Sequence, residues 1–381
     1  MHSERSVPMF PLQRQIRVKF LSKGQVDRGA GIWLRQFPGR SGSWGRCDFT
    51  FDPDERRYDW LVVYDDLPAV ANERHSVRRE PLACHPRNTL LVTTEPASVK
   101  CYGDDFLNQF GHVLTSQEPW VIRHPGAIFS QPGLRWFYGA SKTAIRDFDA
   151  IASAASPRKN ADLATVCSDK RQRHTLHRTR YEFVQTLRGL LPEAGVQMDV
   201  FGHGVRFIED KAEAIDPYRY HLAIENHRAR HHWTEKLADP FLGLSMPFYY
   251  GCPNAADYFP EESFVTIDIR NPAESAEIIR RVIRDDLHSR HFAALVEARR
   301  RVLCEYNLFA VVSRLAESLH EESAPMGPMR AQACIRSRHA LRYGNPWKLA
   351  RFVINKLVLR RALRKASGAG ASSADDAKCR P

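Results

Sequence analysis

The sequence has few features of a membrane-spanning protein or of a disulfide-bonded fold. No apolar run approaches the roughly 18 residues that a membrane-spanning helix needs, and residues 1–17 contain no apolar signal-peptide core. The eight cysteines are dispersed over 381 residues and no two are spaced CxxC, which argues against a disulfide scaffold and a zinc knuckle. We therefore expect a cytoplasmic protein, either free or peripheral on the inner face of the plasma membrane.

Acidic residues are missing from one long segment. None occurs between Glu322 and Asp375, whereas eleven lysines and arginines lie within residues 330–365 and supply nearly all of the net charge of +12. A basic tail on a neutral body is typical of an electrostatic anchor, so we expect residues 330–365 to attach to an anionic membrane surface. A helix that packs on the protein with a basic edge is the alternative. Nucleic-acid binding is not expected, because no recognition motif accompanies the charge.

The pattern of apolar residues predicts an α/β protein with two Rossmann-like domains that face a cleft. With 43% apolar residues, the chain can bury two cores of about 150 residues each. Short apolar runs bounded by polar residues or proline are typical of buried parallel strands. Such runs occupy residues 16–21, 60–64, 90–93, 112–115, 164–167, 220–224, 247–250 and 264–267. Helical spacing is clearest at residues 175–191, 234–242 and 292–319.

These patterns divide the chain into four parts. We predict an N-terminal α/β domain at residues 1–145 and a linker with some helix at 146–162. A C-terminal α/β domain follows at residues 163–322, and a basic tail, partly helical and partly disordered, at 323–381.

Polar residues follow the strand predicted at 220–224 and begin the next helix. Glu225 and Asn226 come directly after the strand, and Thr234 is placed to cap a helix whose first turn contains Glu235 and Lys236. Free N–H groups at a helix N-terminus and a lysine bind phosphate, while carboxylate and amide groups bind ribose hydroxyls. This segment therefore predicts a nucleotide-diphosphate site.

The longer run IENHRARHHWTEKLADPFLGLSMPFYYGCPNAADYFPEESFVTID, residues 224–268, resembles the donor-binding signature of family 10 glycosyltransferases, the α-1,3/1,4-fucosyltransferases. That pattern is close to FEN, a spacer, YVTEK and then G-x-x-P-x-x-x-G-x-P. Upstream, the segment that contains Arg180 resembles the family's R-x-x-F/Y helix, and residues 199–202 (DVFG) resemble its D-V-Y/F-G strand end. In the first half, Thr94-Glu95-Pro96 resembles the family's E-S-P-type turn.

The resemblance implies a GT-B fold and inverting transfer of fucose from GDP-fucose to a hydroxyl of a saccharide acceptor, without an essential metal or other cofactor. Asn226 and Glu235 would bind the ribose or sugar end of the donor. Arg180 and Lys236 would hold the diphosphate, and Glu95, in the acceptor-side domain, would be the base. We expect the acceptor to be a bacterial surface-polysaccharide or lipopolysaccharide precursor, which includes lipid-linked saccharides.

The sequence departs from the family pattern at two positions inside the signature. Ile224 stands where FEN has its aromatic residue, and His232 stands where YVTEK has its tyrosine. Histidine and tyrosine both donate hydrogen bonds to phosphate, so we predict that His232 binds the donor. The change also leaves open a transferase of the same fold that uses a different nucleotide sugar. Glu225, Thr234 and Tyr250 are further donor-side candidates, Tyr250 being first of all a core residue.

Other residues compete for some of these roles. Asp65 and Asp66 also follow an apolar run, so either is an alternative to Glu95 as the base. Because two adjacent acids diverge on an extended chain, we expect no metal there. Four histidines match no common zinc spacing and are expected at the surface or beside phosphate: His221, His227, His231 and His232. A non-catalytic basic binding protein, or a transferase fold without activity, are the remaining alternatives.

Overall fold

The computed structural model describes residues 14–24, 30–69, 73–142, 144–168, 176–193, 195–320 and 333–372. Two α/β domains, each built on a parallel sheet, face one another, which confirms the predicted fold class and its GT-B arrangement. The strands of the first half are β1 Ile16–Ser22, β2 Ser43–Trp44, β3 Cys47–Thr50, β4 Trp60–Tyr64, β5 Arg79–Pro81, β6 Thr89–Val92, β7 His112–Thr115 and β8 Ala127–Phe129.

Later in the chain come β9 Ala161–Val166, β10 Met198–Phe201, β11 Tyr218–Ile224, β12 Met246–Tyr250, β13 Val265–Thr266 and β14 Cys334–Arg336. The helices are α1 Gly31–Leu34, α2 Asp104–Leu107, α3 Phe148–Ser153, α4 His177–Glu193, α5 Glu235–Leu242, α6 Pro272–Arg284, α7 Leu287–Arg290, α8 Phe292–Cys304, α9 Leu308–Leu319, α10 Arg338–Tyr343 and α11 Pro346–Ser372.

The first sheet has the order β2-β3-β1-β4-β6-β7-β8 and is parallel except for the β2–β3 pair. Its central strands are covered on both faces, because alternate residues of β4 enter two different cores. Val62 packs on one side, whereas Leu61 and Val63 pack on the other. A strand buried on both faces must be apolar throughout, which is why WLVVY was recognisable in the sequence.

The second sheet, β10-β9-β11-β12-β13, is parallel throughout. Helix α5 follows its central strand β11 and packs in the same core, where Leu237 and Phe241 are fully buried. Asn271 caps helix α6, because its side chain accepts a hydrogen bond from the Glu274 N–H. Strands β4 and β6 of the first sheet and β11 of the second end at loops that line the cleft between the domains.

The helical stretch predicted at residues 292–319 is divided into two helices, and the second of them packs with the first half of the chain. The helix stops at Cys304, and Asn307 caps a new helix, α9, by accepting from the Phe309 N–H. Helix α9 packs in the first domain, where the Phe309 ring stacks on Phe37 with centroids 4.1 Å apart. An apolar helix shows in the sequence that it is buried, but its partner is decided by the tertiary fold.

The start of the predicted tail is also part of the first domain. Strand β14 pairs with β5 in a separate antiparallel ribbon, and Ile335 and Leu341 enter the second core of the first domain. Residues 346–372 continue as the single helix α11, while residues 373–381, at the end predicted to be disordered, lie outside the described residues. No helix among the described residues is long and apolar enough to cross a membrane.

Candidate functional site

The candidate site is a cleft of about 560 Å³ between the two domains. The ends of β4 and β6 contribute Asp65 and Glu95 from the first domain, and the end of β11 contributes Asn226 from the second. A second cavity of about 270 Å³ lies within the second domain, and it shares Asn226, Glu235 and Lys236 with the cleft. Ligands of open parallel sheets bind at the carboxyl ends of the strands, so both cavities are where substrates are expected.

The Glu225 carboxylate holds the N-terminus of helix α5 in place. The buried Glu225 carboxylate accepts hydrogen bonds from the Thr234 N–H at 2.7 Å and from the Thr234 hydroxyl, and Thr234 in turn caps the Lys236 N–H at 3.3 Å. A β-carbon at Gly251 would lie 2.4 Å from Glu225 Cγ, so this approach requires glycine. Glu225 and Thr234 therefore support the helix terminus.

The first turn of α5 contains two neighbouring side chains of opposite charge, Glu235 and Lys236. Lys236 Nζ lies 2.9 Å from Glu235 Oε1 and 3.7 Å from Glu225 Oε2. Burial raises the pKa of the Glu235 carboxyl, but the ammonium groups of Lys236 and Lys211 outweigh burial and hold it well below its usual range. Burial lowers the pKa of Lys236, and the charges of Glu235 and Glu225 outweigh that effect and raise it. Both Glu235 and Lys236 are therefore charged at neutral pH.

Arg180 reaches the same cavity from helix α4. Its Nη1 donates to Asn226 Oδ1 at 2.9 Å, which ties the helix to the end of β11. Its Nε is buried and has no hydrogen-bond partner among the described residues. An unsatisfied guanidinium donor on a polar cavity is well suited to an anionic ligand, because a buried donor without a partner is costly.

Glu95 lies on the opposite wall of the cleft, on the loop that follows β6. The backbone carbonyl of Glu95 accepts from Gln117 Nε2 at 2.7 Å, which holds the loop, while the carboxylate has no donor within hydrogen-bond distance among the described residues. Burial and the charge of Asp65 raise the pKa of the Glu95 carboxyl. A free carboxylate with a raised pKa is suited to accept a proton.

The other two carboxylates of this wall are already occupied. Asp65, at a left-handed φ of 74°, accepts hydrogen bonds from the Thr94 hydroxyl, the Lys100 ammonium and the Tyr102 hydroxyl. Asp66 accepts from the backbone N–H groups of Leu67 and of Arg338. Asp65 and Asp66 therefore hold the loops of the first domain together, and of the three acids Glu95 alone has a free carboxylate.

His232 lies in the cleft but faces the first domain. Its Nδ1 is 3.1 Å from the Ser116 hydroxyl, and burial lowers its pKa to about 3, so the ring is neutral. The other three histidines of this region also contact protein groups. His221 contacts the backbone oxygen of Ala214, His227 contacts the Glu118 carboxylate, and His231 contacts the Tyr258 hydroxyl. In the part of the chain that the structure describes, no three His, Cys, Asp or Glu side chains are grouped so as to hold a metal ion.

The structure changes the interpretation of two further residues, Tyr250 and Lys211. Tyr250 ends β12 beside Ile224 and lines neither cavity, so the structure leaves it in the core. Lys211, which the sequence patterns did not single out, lines the inner cavity and contacts the acids of α5. It precedes Glu235 by more than twenty residues, and no local motif marks it.

Part of the chain is similar to proteins of a known family. Residues 156–313 match the model described as glycosyltransferase family 10 (fucosyltransferase), C-terminal part. An α-(1,3)-fucosyltransferase of Helicobacter pylori is 29% identical over 104 residues, which are 26% of this chain and 21% of that protein. GDP-fucose protein O-fucosyltransferase 3 of Bos taurus is 35% identical over 82 residues, or 21% of this chain and 16% of that protein.

Among solved structures, a crystal structure of an α1,3-fucosyltransferase with GDP-fucose is 13% identical with a TM-score of 0.43, and the match covers 86% of this chain and 96% of that one. The chain spans about a fifth of the length of the curated relatives that it matches. The family model covers the donor-side candidates but not Glu95. Residues 156–313 are therefore similar to the C-terminal part of glycosyltransferase family 10.

Proposed function

We propose that this chain is an inverting glycosyltransferase that transfers fucose from GDP-fucose to a hydroxyl of a saccharide acceptor. The observation that supports this most is the arrangement within and beside the family 10 domain. Two cations, Arg180 and Lys236, converge at the N-terminus of α5, and the free carboxylate of Glu95 lies across the same cleft as Lys236.

On the donor side, the diphosphate lies beside Arg180, Lys236 and the first turn of α5. These cations and the positive end of the helix dipole neutralise the charge that develops on the diphosphate as its bond to the sugar breaks. Asn226 and the ionised Glu235 accept hydrogen bonds from hydroxyl groups of the ribose or the sugar. His232 is neutral and offers one ring nitrogen to the donor while the other contacts Ser116.

On the acceptor side, Glu95 takes the proton of the attacking hydroxyl. The hydroxyl oxygen forms a bond to the anomeric carbon as the bond from that carbon to the diphosphate oxygen breaks, and GDP leaves with the electron pair. Because attack and departure occur on opposite faces of the sugar, one displacement inverts the anomeric configuration. No step of this scheme requires a metal ion, since the cations of the protein serve the leaving group.

The choice of fucose as the donor sugar rests on the names of the relatives and not on the geometry of the pocket. Both curated relatives are named as fucosyltransferases, and we extend that donor to this chain. His232, in place of the tyrosine of the family pattern, is the position at which another nucleotide sugar is the competing choice.

The acceptor, we propose, is a saccharide precursor carried at the inner face of a bacterial membrane. Helix α11 is largely exposed and places Trp347, Ile354 and Val358 in solvent at 85%, 59% and 59% exposure. Basic side chains flank these apolar residues, among them Lys356, Arg360 and Arg361. Exposed apolar and basic residues on one helix suit the interface of an anionic lipid surface, where lipid-linked saccharides are found.

A screen of donors tests the proposed function. The protein is incubated with GDP-fucose, other GDP-sugars and UDP-sugars, and release of the nucleoside diphosphate is followed with and without candidate acceptors. Release from GDP-fucose above that from the other donors supports the proposal. Release from a different donor keeps the transferase and changes its sugar, and no binding or release with any donor rejects the transferase.

A further inference from the structure

The inner cavity contains a lysine that neither the family signature nor the proposed scheme uses. Lys211 begins a short 3-10 helix, Lys211–Ala214, which is held by a capping box between Asp210 and Glu213. Its Nζ lies 2.8 Å from Asp239 Oδ2 and 3.8 Å from Glu235 Oε1. Lys211 therefore connects the loop before β11 to both acids of α5.

The charges around the cavity show why this lysine matters. The side chains of Glu225 and Asp239 are 0% and 1% exposed, and that of Glu235 is 19% exposed. If Lys211 were absent, Lys236 would be the only lysine against these three carboxylates among the described residues of the cavity. A phosphate would then have to compete with two uncompensated acids for the same ammonium group.

Asp239 also connects Lys211 to the segment between the domains. Its Oδ1 accepts from the backbone N–H of Phe137 at 3.1 Å, and Lys211 Nζ lies 5.0 Å from the centre of the Phe137 ring. The ammonium group is thus held by a buried carboxylate and an aromatic face, so its position does not depend on the bound nucleotide.

We propose that Lys211 is a positioning residue of the donor site, which neutralises Glu235 and Asp239 and so leaves Lys236 free to bind the diphosphate. The inference rests on the proposed function, because it assumes that the inner cavity binds a nucleotide. Lys211 acts on the diphosphate through the carboxylates rather than by direct contact. Its effect must therefore grow with the number of phosphates on the ligand, which a simple loss of stability would not produce.

The test measures by calorimetry the affinities of GMP and of GDP for the unmodified full chain and for the variant Lys211→Met. The unpaired carboxylates repel each added phosphate charge, so we expect the loss of affinity to be about tenfold greater for GDP than for GMP. Lys211→Arg keeps the charge and should retain most of the affinity. Lys159→Met is the control, because Lys159 is half-buried, lines neither cavity and donates to the backbone carbonyls of Ile215 and Gly243 and to Ser245 Oγ rather than to a carboxylate.

Equal losses for GMP and GDP in Lys211→Met, or the same GDP-to-GMP ratio in Lys159→Met, would overturn the inference and leave the proposed function standing. If the unmodified protein binds uridine rather than guanine nucleotides, the donor assignment fails, and UMP and UDP then provide the same ratio. If the unmodified protein binds no nucleotide, the proposed function and this inference both fail.

Discussion

Arg180 and Asn226 are joined by a hydrogen bond of 2.9 Å from the guanidinium Nη1 to the amide Oδ1. They lie more than forty residues apart, on helix α4 and at the end of β11, and both line the inner cavity. The bond holds the guanidinium at the wall of that cavity, and its buried Nε has no hydrogen-bond partner among the described residues. The two residues therefore behave as one unit, in which the amide orients the cation.

Replacing Arg180 with alanine should weaken GDP binding by about 10- to 100-fold, because a hydrogen bond to a charged group contributes roughly 1.5–3 kcal/mol. Isothermal calorimetry with GDP measures the change. Arg188→Ala is the matched control: it removes the same side chain from the same helix at an exposed position that lines neither cavity. Equal effects of the two substitutions would remove Arg180 from the donor site.

Glu95→Gln should lower kcat by about 10²- to 10⁴-fold, the usual contribution of a positioned general base, and leave the affinity for GDP unchanged. Transfer or hydrolysis of GDP-fucose gives the rate, and calorimetry gives the affinity. An unchanged rate would mean that another group accepts the proton.

The pH profile separates Glu95 from its neighbour Asp65. The base must be ionised, so kcat/KM rises with pH through the pKa of Glu95, which burial and the Asp65 charge raise above its ordinary range. Asp65→Asn removes that charge, so the pKa of Glu95 falls and the acidic limb moves to lower pH. The variant also loses an ion pair with Lys100, and the test is therefore the position of the limb and not the absolute rate. A limb that stays in place in this variant would contradict the role of Glu95.

Binding to lipid vesicles tests helix α11. The protein should sediment with phosphatidylglycerol vesicles more than with phosphatidylcholine vesicles, and salt should reduce the binding. Replacing Lys356, Arg360 and Arg361 with glutamine should weaken it about 100-fold, because each basic residue contributes roughly 1 kcal/mol at an anionic surface. The same charge change at Arg280, Arg281 and Arg284 of α6 is the control. Equal effects at both places would indicate that net charge, and not α11, attracts the protein to lipid.

Local patterns predicted most of what lies along one stretch of chain. The central strands are apolar on both faces, and Thr234 caps its helix with the side chain expected of it. The first turn of α5, with Glu235 and Lys236, was visible for the same reason. What the sequence showed well are interactions between residues that are close in the chain.

Interactions over long sequence separations could not be predicted in this way. Helix α9 is apolar, but nothing local shows that Phe309 packs with Phe37 of the first domain. Asp65 and Glu95 are both acids after apolar strands, and only the three donors that occupy Asp65 distinguish them. Lys211 acquires its role from Asp239, a contact that forms only once β11 and α5 are packed together.

The most direct measurement of the central claim is ¹H NMR spectroscopy of GDP-fucose during incubation with the protein, with an oligosaccharide or water as acceptor. Single displacement in the cleft predicts that the anomeric signal of the donor is replaced by a product signal of the opposite anomeric configuration, and that Glu95→Gln suppresses this change. A first product with the donor's own configuration, or a donor signal that never changes with any acceptor, would contradict inverting transfer by this protein.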